Sequence, residues 1–130
     1  MKKIILIITL LVSSLFAEMK WVEYDDALET AQKENKFIMV MLSRENCGTC
    51  EYMEDVVFDD DAVVSEVLKD FIPVHIDIYK GFIPNDDLSY IGTPTFHFLN
   101  KDEKKIGRID GGVNKKDFYN KLKEVLEAAK

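Results

Sequence analysis

The sequence predicts one α/β domain whose central sheet is covered by helices on both faces. Residues 37–42 form an apolar run without polar alternation, which is typical of a strand buried on both sides. Segments with helical apolar periodicity lie before this run, after it and at the end of the chain. Because helices alternate with strands along the chain, the sheet needs helices on both of its faces.

The first elements are a helix and the apolar strand. Asp25 or Asp26 is expected to cap a helix that ends near Lys33, since short acidic side chains accept hydrogen bonds from the free N–H groups of a first helical turn. The strand then covers residues 37–42. Its lack of polar alternation is expected for a strand covered on both faces.

Two further helices are predicted before the next strand. The first begins at the cysteine pair and ends near Val57, with Met53, Val56 and Val57 facing inward. An aspartate within residues 59–61 can cap the second, which covers residues 62–69.

The second strand and a long loop follow. Residues 71–78 have the composition of a strand, but Pro73 cannot donate a ladder hydrogen bond, so this strand should lie at the edge of the sheet or begin there. Residues 80–92 are predicted to be a loop with room for one helical turn near residues 86–90.

A hairpin and a helix complete the predicted fold. Strands at residues 95–99 and 105–109 flank a turn at residues 100–103. Asn114 is expected to cap the last helix. The buried stripe of this helix is predicted to contain Phe118, Leu122, Val125 and Leu126.

Residues 1–17 have the pattern of a secretory signal peptide. Lys2 and Lys3 give a basic start, residues 4–12 an apolar core, and residues 13–17 a region suited to cleavage. The apolar core is shorter than the roughly 20 residues that a membrane-spanning helix needs. We therefore expect one domain at residues 18–130 in a periplasmic or secreted location, with an uncleaved N-terminal membrane anchor as the alternative.

The charge of the chain excludes some classes of partner. The predicted leader carries Lys2 and Lys3 and no acidic residue, so its removal changes the formal net charge from −7 to −9. A domain this acidic repels nucleic acid and anionic membrane surfaces. The sequence therefore predicts neither a nucleic-acid partner nor a membrane-surface partner.

Cys47 and Cys50 are the only cysteines, and they directly follow the apolar strand. At a helix N-terminus, free backbone N–H groups and the positive end of the helix dipole would stabilise a Cys47 thiolate. Cys50 lies about one turn further on the same face, within reach of a disulfide. Gly48 and Thr49 place no bulk over the pair. The motif predicts thiol–disulfide exchange, in which Cys47 attacks a substrate disulfide and Cys50 resolves the mixed disulfide.

Three other interpretations of the cysteine pair compete with exchange. A structural disulfide is one, although so short a loop removes little entropy from the unfolded chain. A zinc site is another, but it would need four ligands, and His75 and His97, both in predicted strands, are the only histidines. A chance C-x-x-C is the third, which the strand-then-helix context disfavours. No metal is expected.

The sequence resembles the thioredoxin-fold proteins over residues 18–130. The features that match are the strand before Cys47-Gly48-Thr49-Cys50, the turn Thr93-Pro94-Thr95, the hairpin near residues 101–103 and the late Gly111-Gly112. Within this fold, the chain is similar to secreted thioredoxin-like proteins and to the C-terminal domain of the bacterial transmembrane thiol–disulfide interchange protein.

The resemblance carries expectations about fold, site and partners. It implies a thioredoxin fold with a central mixed sheet of about four strands and helices on both faces. It implies that Pro94 is cis and lies beside the sulfurs, and that Thr93 and Pro94, with Gly48 and Thr49, bind substrate. It implies no cofactor. The expected partners are protein substrates with disulfides or thiols and a dithiol protein that donates or accepts electrons, and the expected state is a monomer.

The chain also departs from ordinary thioredoxins. Asn46 stands where they have tryptophan, Thr49 where they have proline, and Met41 where they have a buried aspartate that accepts the proton of the resolving cysteine. Glu54, four residues after Cys50, is a candidate replacement for that acceptor. Its alternative role is as part of a solvated acidic helix face, which is the commoner fate of helix carboxylates.

These observations predict an exported thiol–disulfide oxidoreductase. Acidic residues around the motif should disfavour the Cys47 thiolate, and since a stabilised thiolate makes a dithiol more oxidising, they favour a reductant. The alternative is a non-enzymatic thioredoxin-fold binding or chaperone module with an incidental disulfide. The acidic residues are Glu45, Glu51, Glu54 and Asp55.

Overall fold

The computed structural model describes residues 17–130, and these form four helices, four strands and a π-helical segment that continues the second helix. The predicted signal peptide, residues 1–17, lies outside the described residues except for Ala17. The elements are α1 (Tyr24–Glu34), β1 (Phe37–Ser43), α2 (Gly48–Tyr52), the π segment (Met53–Val57), α3 (Asp61–Asp70), β2 (Phe71–Asp77), β3 (Thr95–Leu99), β4 (Lys105–Asp110) and α4 (Lys115–Ala128).

The four strands form one mixed sheet in the order β2-β1-β3-β4. β1 pairs in parallel with β2 and antiparallel with β3, and β3 and β4 form the antiparallel hairpin. β2 is an edge strand, as the proline at position 73 predicts. The predicted fold class is confirmed: an α/β domain of the thioredoxin fold, with a four-stranded mixed sheet.

Helices cover both faces of β1, which is why this strand carries no polar alternation. Met39 and Met41 face a core shared with α2, the π segment, α3 and α4, whereas Ile38, Val40 and Leu42 face a second core under α1. All five side chains are completely buried. The parallel step from β1 to β2 places the ends of these strands, and the loops that leave them, at the same edge of the sheet.

The caps of the helices are partly as predicted. The side chains of Asp60 and Asn114 accept hydrogen bonds from the N–H groups of Val63 and Asp117 and so begin α3 and α4. The expected cap of α1 is wrong, because Asp25 and Asp26 lie inside the first turn and Glu23 is the N-cap residue, without a side-chain hydrogen bond. Acidic residues in the first turn still interact favourably with the helix dipole.

Two other local expectations are wrong. Val56 does not face inward but is 40% exposed, because the wider π-helical turn buries Met53 and Val57 and rotates Val56 outward. Residues 86–90 do not form a helical turn. Asn85 closes a tight turn there instead: its side chain accepts from the N–H of Asp87 and its carbonyl from the N–H of Leu88.

The segment before α1 leans on the free edge of β2. The Val22 N–H donates to the Pro73 carbonyl, and the Trp21 ring packs edge-on against Phe58 and against His75. Among the described residues, no helix combines the length and the apolar character needed to cross a bilayer.

Candidate active site

The two cysteines form a disulfide at the point where β1 gives way to α2. Cys47 is the N-cap residue of α2 and Cys50 lies in its first turn, with 5.2 Å between their Cα atoms. Both residues are buried in this oxidised form, Cys47 at 4% and Cys50 at 2% exposure. In this disulfide state the hydroxyl and the carbonyl oxygen of Thr93 lie against the Cys47 sulfur.

Polar atoms surround the sulfur of Cys47. The Cys50 N–H donates to it over 3.2 Å, and the Thr93 hydroxyl lies 3.4 Å away in position to donate. The Thr93 carbonyl oxygen lies at 3.5 Å and the Thr49 hydroxyl at 3.6 Å. After reduction, the amide and the hydroxyls can stabilise a thiolate at Cys47, and the carbonyl can accept from a thiol.

A second loop frames the disulfide from the start of β3. The Thr93–Pro94 peptide bond is cis, and the Pro94 carbonyl accepts from the N–H of Gly111, which holds this loop against the end of β4. Gly111 has φ +85°, a conformation that favours glycine. Gly112 packs on Thr49, since a Cβ added to it would lie 3.4 Å from the Thr49 Cβ.

A surface pocket of about 380 Å³ extends from this loop, with the exposed Ile91, at 96%, at its rim. The structure brings Thr49 and Thr93 to the Cys47 sulfur. Pro94 follows Thr93 in the same loop, and Gly48 adjoins Cys47 in the open first turn of α2. The pocket is lined by Ile91, Gly92, Thr93, Thr95, Asp110 and Gly111.

A different pocket, of about 370 Å³, lies on the Cys50 side of the disulfide. Glu54 lines it together with Cys50, so the structure places this predicted acceptor beside the resolving cysteine. Its carboxylate lies 3.0 Å from Nε2 of His75, a residue of β2 that sequence reasoning did not connect with the site. Asp77, at the end of β2, lines the same pocket and was also missed.

The long-range register of the sheet explains why His75 was missed. Met41 and His75 are paired neighbours on the parallel strands β1 and β2, so the histidine stands beside the methionine that replaces the usual acidic residue. No local sequence pattern carries this pairing. The signal that was available is a histidine in an edge strand, where a polar side chain can reach solvent or a neighbouring helix.

The other histidine has a structural position away from the sulfurs. His97 is completely buried in β3, and its Nε2 lies 2.7 Å from the Ser89 carbonyl. Burial lowers the pKa of His97 below the ordinary value of 6.5, and the hydrogen bond to Ser89 opposes that shift. The ring is therefore neutral near pH 7, with Nε2 donating to Ser89. Within residues 17–130, no group of three His, Cys, Asp or Glu side chains is placed to hold a metal ion.

Residues 24–126 match the family model described as a thioredoxin-like domain. The chain belongs to the thioredoxin-like family. The chain matches this family and also carries the Cys47–Cys50 disulfide at the start of a helix. It is therefore a thiol–disulfide oxidoreductase.

Individual relatives agree with the family. The chain is 27% identical to thioredoxin H9 of Arabidopsis thaliana over 105 residues, which cover 81% of this chain and 71% of that protein. The solution structure of a thioredoxin from Thermus thermophilus matches with a TM-score of 0.72 at 26% identity and covers 84% of this chain and 88% of that one.

A periplasmic member of the family shares the fold at lower identity. The periplasmic thioredoxin SoxS from Paracoccus pantotrophus, in its reduced form, matches with a TM-score of 0.59 at 15% identity, covering 73% of this thioredoxin-like chain and all of that one (100%). The finer similarity to the transmembrane interchange protein, drawn from the sequence, stays a prediction.

Proposed function

We propose that this thioredoxin-like protein is exported and, as a monomer, reduces disulfides of protein substrates with electrons from a partner dithiol protein. The observation that carries the proposal is the Cys47–Cys50 disulfide, formed between an N-cap residue and the first turn of the same helix. Both cysteines lie within one turn of the same helix, so we expect the pair to cycle between dithiol and disulfide without unfolding of the domain.

The reaction consists of two balanced exchanges. In the reduced protein, the Cys47 thiolate attacks one sulfur of the substrate disulfide, forms a mixed disulfide and releases the other substrate sulfur as a thiolate. Cys50 then loses its proton and attacks the Cys47 sulfur, which breaks the mixed disulfide and releases the second substrate thiolate. Two electrons pass to the substrate, and the protein is left in the oxidised form seen here.

The loop at Thr93 supports a protein substrate rather than a small one. The pocket beside it is an open surface feature with apolar and backbone lining, and the Thr93 carbonyl stands 3.5 Å from the Cys47 sulfur. Gly92 carries no side chain, and a Cβ added there would meet no atom within 4 Å. An extended polypeptide that presents its disulfide to Cys47 can therefore lie along residues 91–94.

The direction of electron flow is proposed from the charges around Cys47. Glu51 and Asp55 are exposed acids on the helix that carries the pair, and negative charge near a thiolate makes the dithiol a better reductant. The structure partly offsets one other acid, because Glu45 pairs with Lys80. We expect a reduction potential nearer to the about −270 mV of thioredoxin than to the about −120 mV of strong oxidants.

Export is supported by the signal-peptide pattern of residues 1–17 and by the likeness to a thioredoxin that is itself periplasmic. In such a compartment disulfides persist, so a reductant there needs its own electron supply. A partner dithiol protein is the chemically simplest source, since the proposed cycle uses no bound cofactor.

Turnover of insulin in the presence of a small dithiol tests the function. The parent protein should accelerate reduction of the insulin disulfides, Cys47→Ser should abolish that acceleration, and Cys50→Ser should accumulate a mixed disulfide with insulin. Equilibration with glutathione or thioredoxin in the same preparation gives the reduction potential. A parent protein that binds unfolded polypeptides but shows no turnover would instead establish the non-enzymatic binding module.

A further inference from the structure

We propose that His75 is a positioning residue for proton transfer: it holds the Glu54 carboxylate so that Glu54 accepts the proton of Cys50 during resolution. This inference deepens the proposed function and rests on it. Ordinary thioredoxins have a buried aspartate as proton acceptor where this chain has Met41. The inference gives that role to Glu54, held in place by His75 of β2.

The three side chains of the proposed proton transfer lie around the same pocket. Cys50, Glu54 and His75 line one pocket of about 370 Å³, which has room for the water that a proton transfer between them needs. Nε2 of His75 lies 3.0 Å from Oε1 of Glu54. That leaves the second carboxylate oxygen of Glu54 free to face the pocket and take the proton.

The surroundings of His75 also favour its contact with Glu54. Its Nε2 atom is itself shielded from solvent and makes no well-aligned hydrogen bond within the described residues. A buried polar nitrogen without a partner is costly, so the nearby Glu54 carboxylate is the group it should engage. The Trp21 ring packs edge-on against the imidazole at 5.4 Å and limits how far His75 can turn away.

The competing acids near Cys50 are less well placed. Asp77 lines the same pocket, but its Oδ1 accepts from the N–H groups of Tyr79 and Lys80 and closes the turn after β2. Glu51 also lines it, without a hydrogen bond or ion pair from a described residue. Glu54 alone among these acids has a titratable partner on β2.

Several charged groups besides Glu54 line the two pockets on either side of His75. On the Cys50 side, Arg44 donates to the backbone carbonyls of Glu45 and Asn46, so its charge lies along the loop after β1. The Glu45–Lys80 ion pair sits between the two pockets that His75 lines. The titratable and charged groups lining these two pockets are Arg44, Glu45, Glu51, Glu54 and Asp77 on one side, and Glu23, Tyr24, Asp25, Asp77 and Lys80 on the other.

The proposed step is balanced in protons and electrons. The Cys50 thiol gives its proton, through water in the pocket, to the free oxygen of Glu54, while the neutral His75 ring donates its Nε2–H to Oε1. The resulting Cys50 thiolate attacks the Cys47 sulfur, and the substrate thiolate that leaves is protonated from solvent.

Single-turnover kinetics isolate this step. A reduced protein mixed with a chromogenic aromatic disulfide releases one coloured thiolate when Cys47 attacks and a second when Cys50 resolves. His75→Ala and Glu54→Gln should each slow the second release about tenfold at neutral pH, below the roughly 10² to 10⁴ that direct acid–base catalysis supplies. The double variant should be no slower than Glu54→Gln alone. Glu124→Gln, which removes an exposed acid of α4, should match the parent.

The conservative variant His75→Gln separates positioning from a merely structural role. Glutamine can donate a hydrogen bond to Glu54 as histidine can, so its second release should return to near the parent rate, whereas that of His75→Ala stays slow. Far-UV circular dichroism checks that each variant is folded.

Two results would overturn the inference: equal second-release rates for His75→Ala and the parent, or a His75→Gln variant that is as slow as His75→Ala. Either would leave the proposed function intact, provided that Cys50→Ser abolishes the second release. If Cys50→Ser still releases the second thiolate at the parent rate, both the resolving role of Cys50 and this inference fail.

Discussion

Cys47 caps α2 with the same sulfur that would attack a substrate. In the disulfide, this sulfur accepts the Cys50 N–H over 3.2 Å, a neutral hydrogen bond at the helix start. Reduction converts the acceptor into a thiolate, and hydrogen bonds to charged acceptors are about twice as strong as neutral ones. The cap of the helix therefore strengthens in the reactive state, which links the local structure of α2 to the chemistry of its first residue.

Helical spacing predicts the site residues that are close along the chain, and the family resemblance adds Thr93 and Pro94, but neither finds His75, which the sheet brings in. Cys47, Cys50 and Glu54 follow from helical spacing alone, because i, i+3 and i+4 positions share a helix face. His75 joins them only through the parallel pairing of β1 with β2, which aligns Met41 with His75. Strand register depends on the whole sheet, so it cannot be read from local periodicity.

His97 should make the stability of the domain sensitive to acid. Its folded-state pKa is lowered by burial, so the unfolded chain binds a proton more readily just below pH 6.5. The contribution of His97 to the free energy of unfolding is then complete above pH 6.5. It falls as the pH drops toward the folded-state pKa, by at most about 1.4 kcal/mol per pH unit. Urea unfolding of the parent and of His97→Gln across this range measures the effect as their difference.

His97→Gln should flatten the acid dependence that the parent shows, because glutamine carries no titrating group. An unchanged pH dependence in His97→Gln would mean that the ring at Ser89 is protonated as easily in the folded protein as in the unfolded chain.

At the scale of elements, the predicted order of helices and strands is confirmed, and the errors fall where turn geometry decides. Local apolar patterns identified β1, β3, β4 and α4, because each of these elements buries a continuous face. It failed for residues 86–90, where the side chain of Asn85 offers the backbone a turn instead of a helix. It failed for Val56 because a π turn changes the helical period.

The contact between β4 and α4 depends on a residue without a side chain. A Cβ added to Gly107 would lie 2.5 Å from Cγ2 of Val125, far inside van der Waals contact. Valine has one strongly preferred rotamer in a helix, so it cannot simply turn away. Gly107→Ala should therefore lower the free energy of unfolding by about 1 to 3 kcal/mol, the usual cost of overpacking, as measured by chemical denaturation.

Gly48→Ala supplies the control, because an added Cβ there meets no atom within 4 Å and alanine favours a helix. It should unfold at the parent's denaturant concentration or above. In addition, Gly107→Ala combined with Val125→Ala should lose less stability than the sum of the single changes, since the second removes the clash. Strict additivity would show that Gly107 and Val125 do not constrain each other.

At the scale of the whole molecule, the segment before α1 packs against the rest of the domain. Met19 and Trp21 pack against the core under α4, and Val22 bonds to the free edge of β2. That edge would otherwise expose unpaired backbone groups next to the active-site pocket. The segment between the predicted leader and α1 is thus structural, and it restricts where a leader can be removed without loss of core contacts.

Cleavage after Ala17 meets that restriction. It would leave Glu18 as the first residue and keep both core contacts at Met19 and Trp21, whereas a cut beyond Trp21 would remove them. We therefore expect the protein recovered from the periplasm of a bacterial host to begin at Glu18, with its mass measured by intact mass spectrometry. Ile7→Lys, which places a charge inside the apolar core of the leader, should stay at full length in the cytosol. Full-length parent protein in the membrane fraction would instead establish the N-terminal anchor, and the thioredoxin-like domain would then act while tethered to the bilayer.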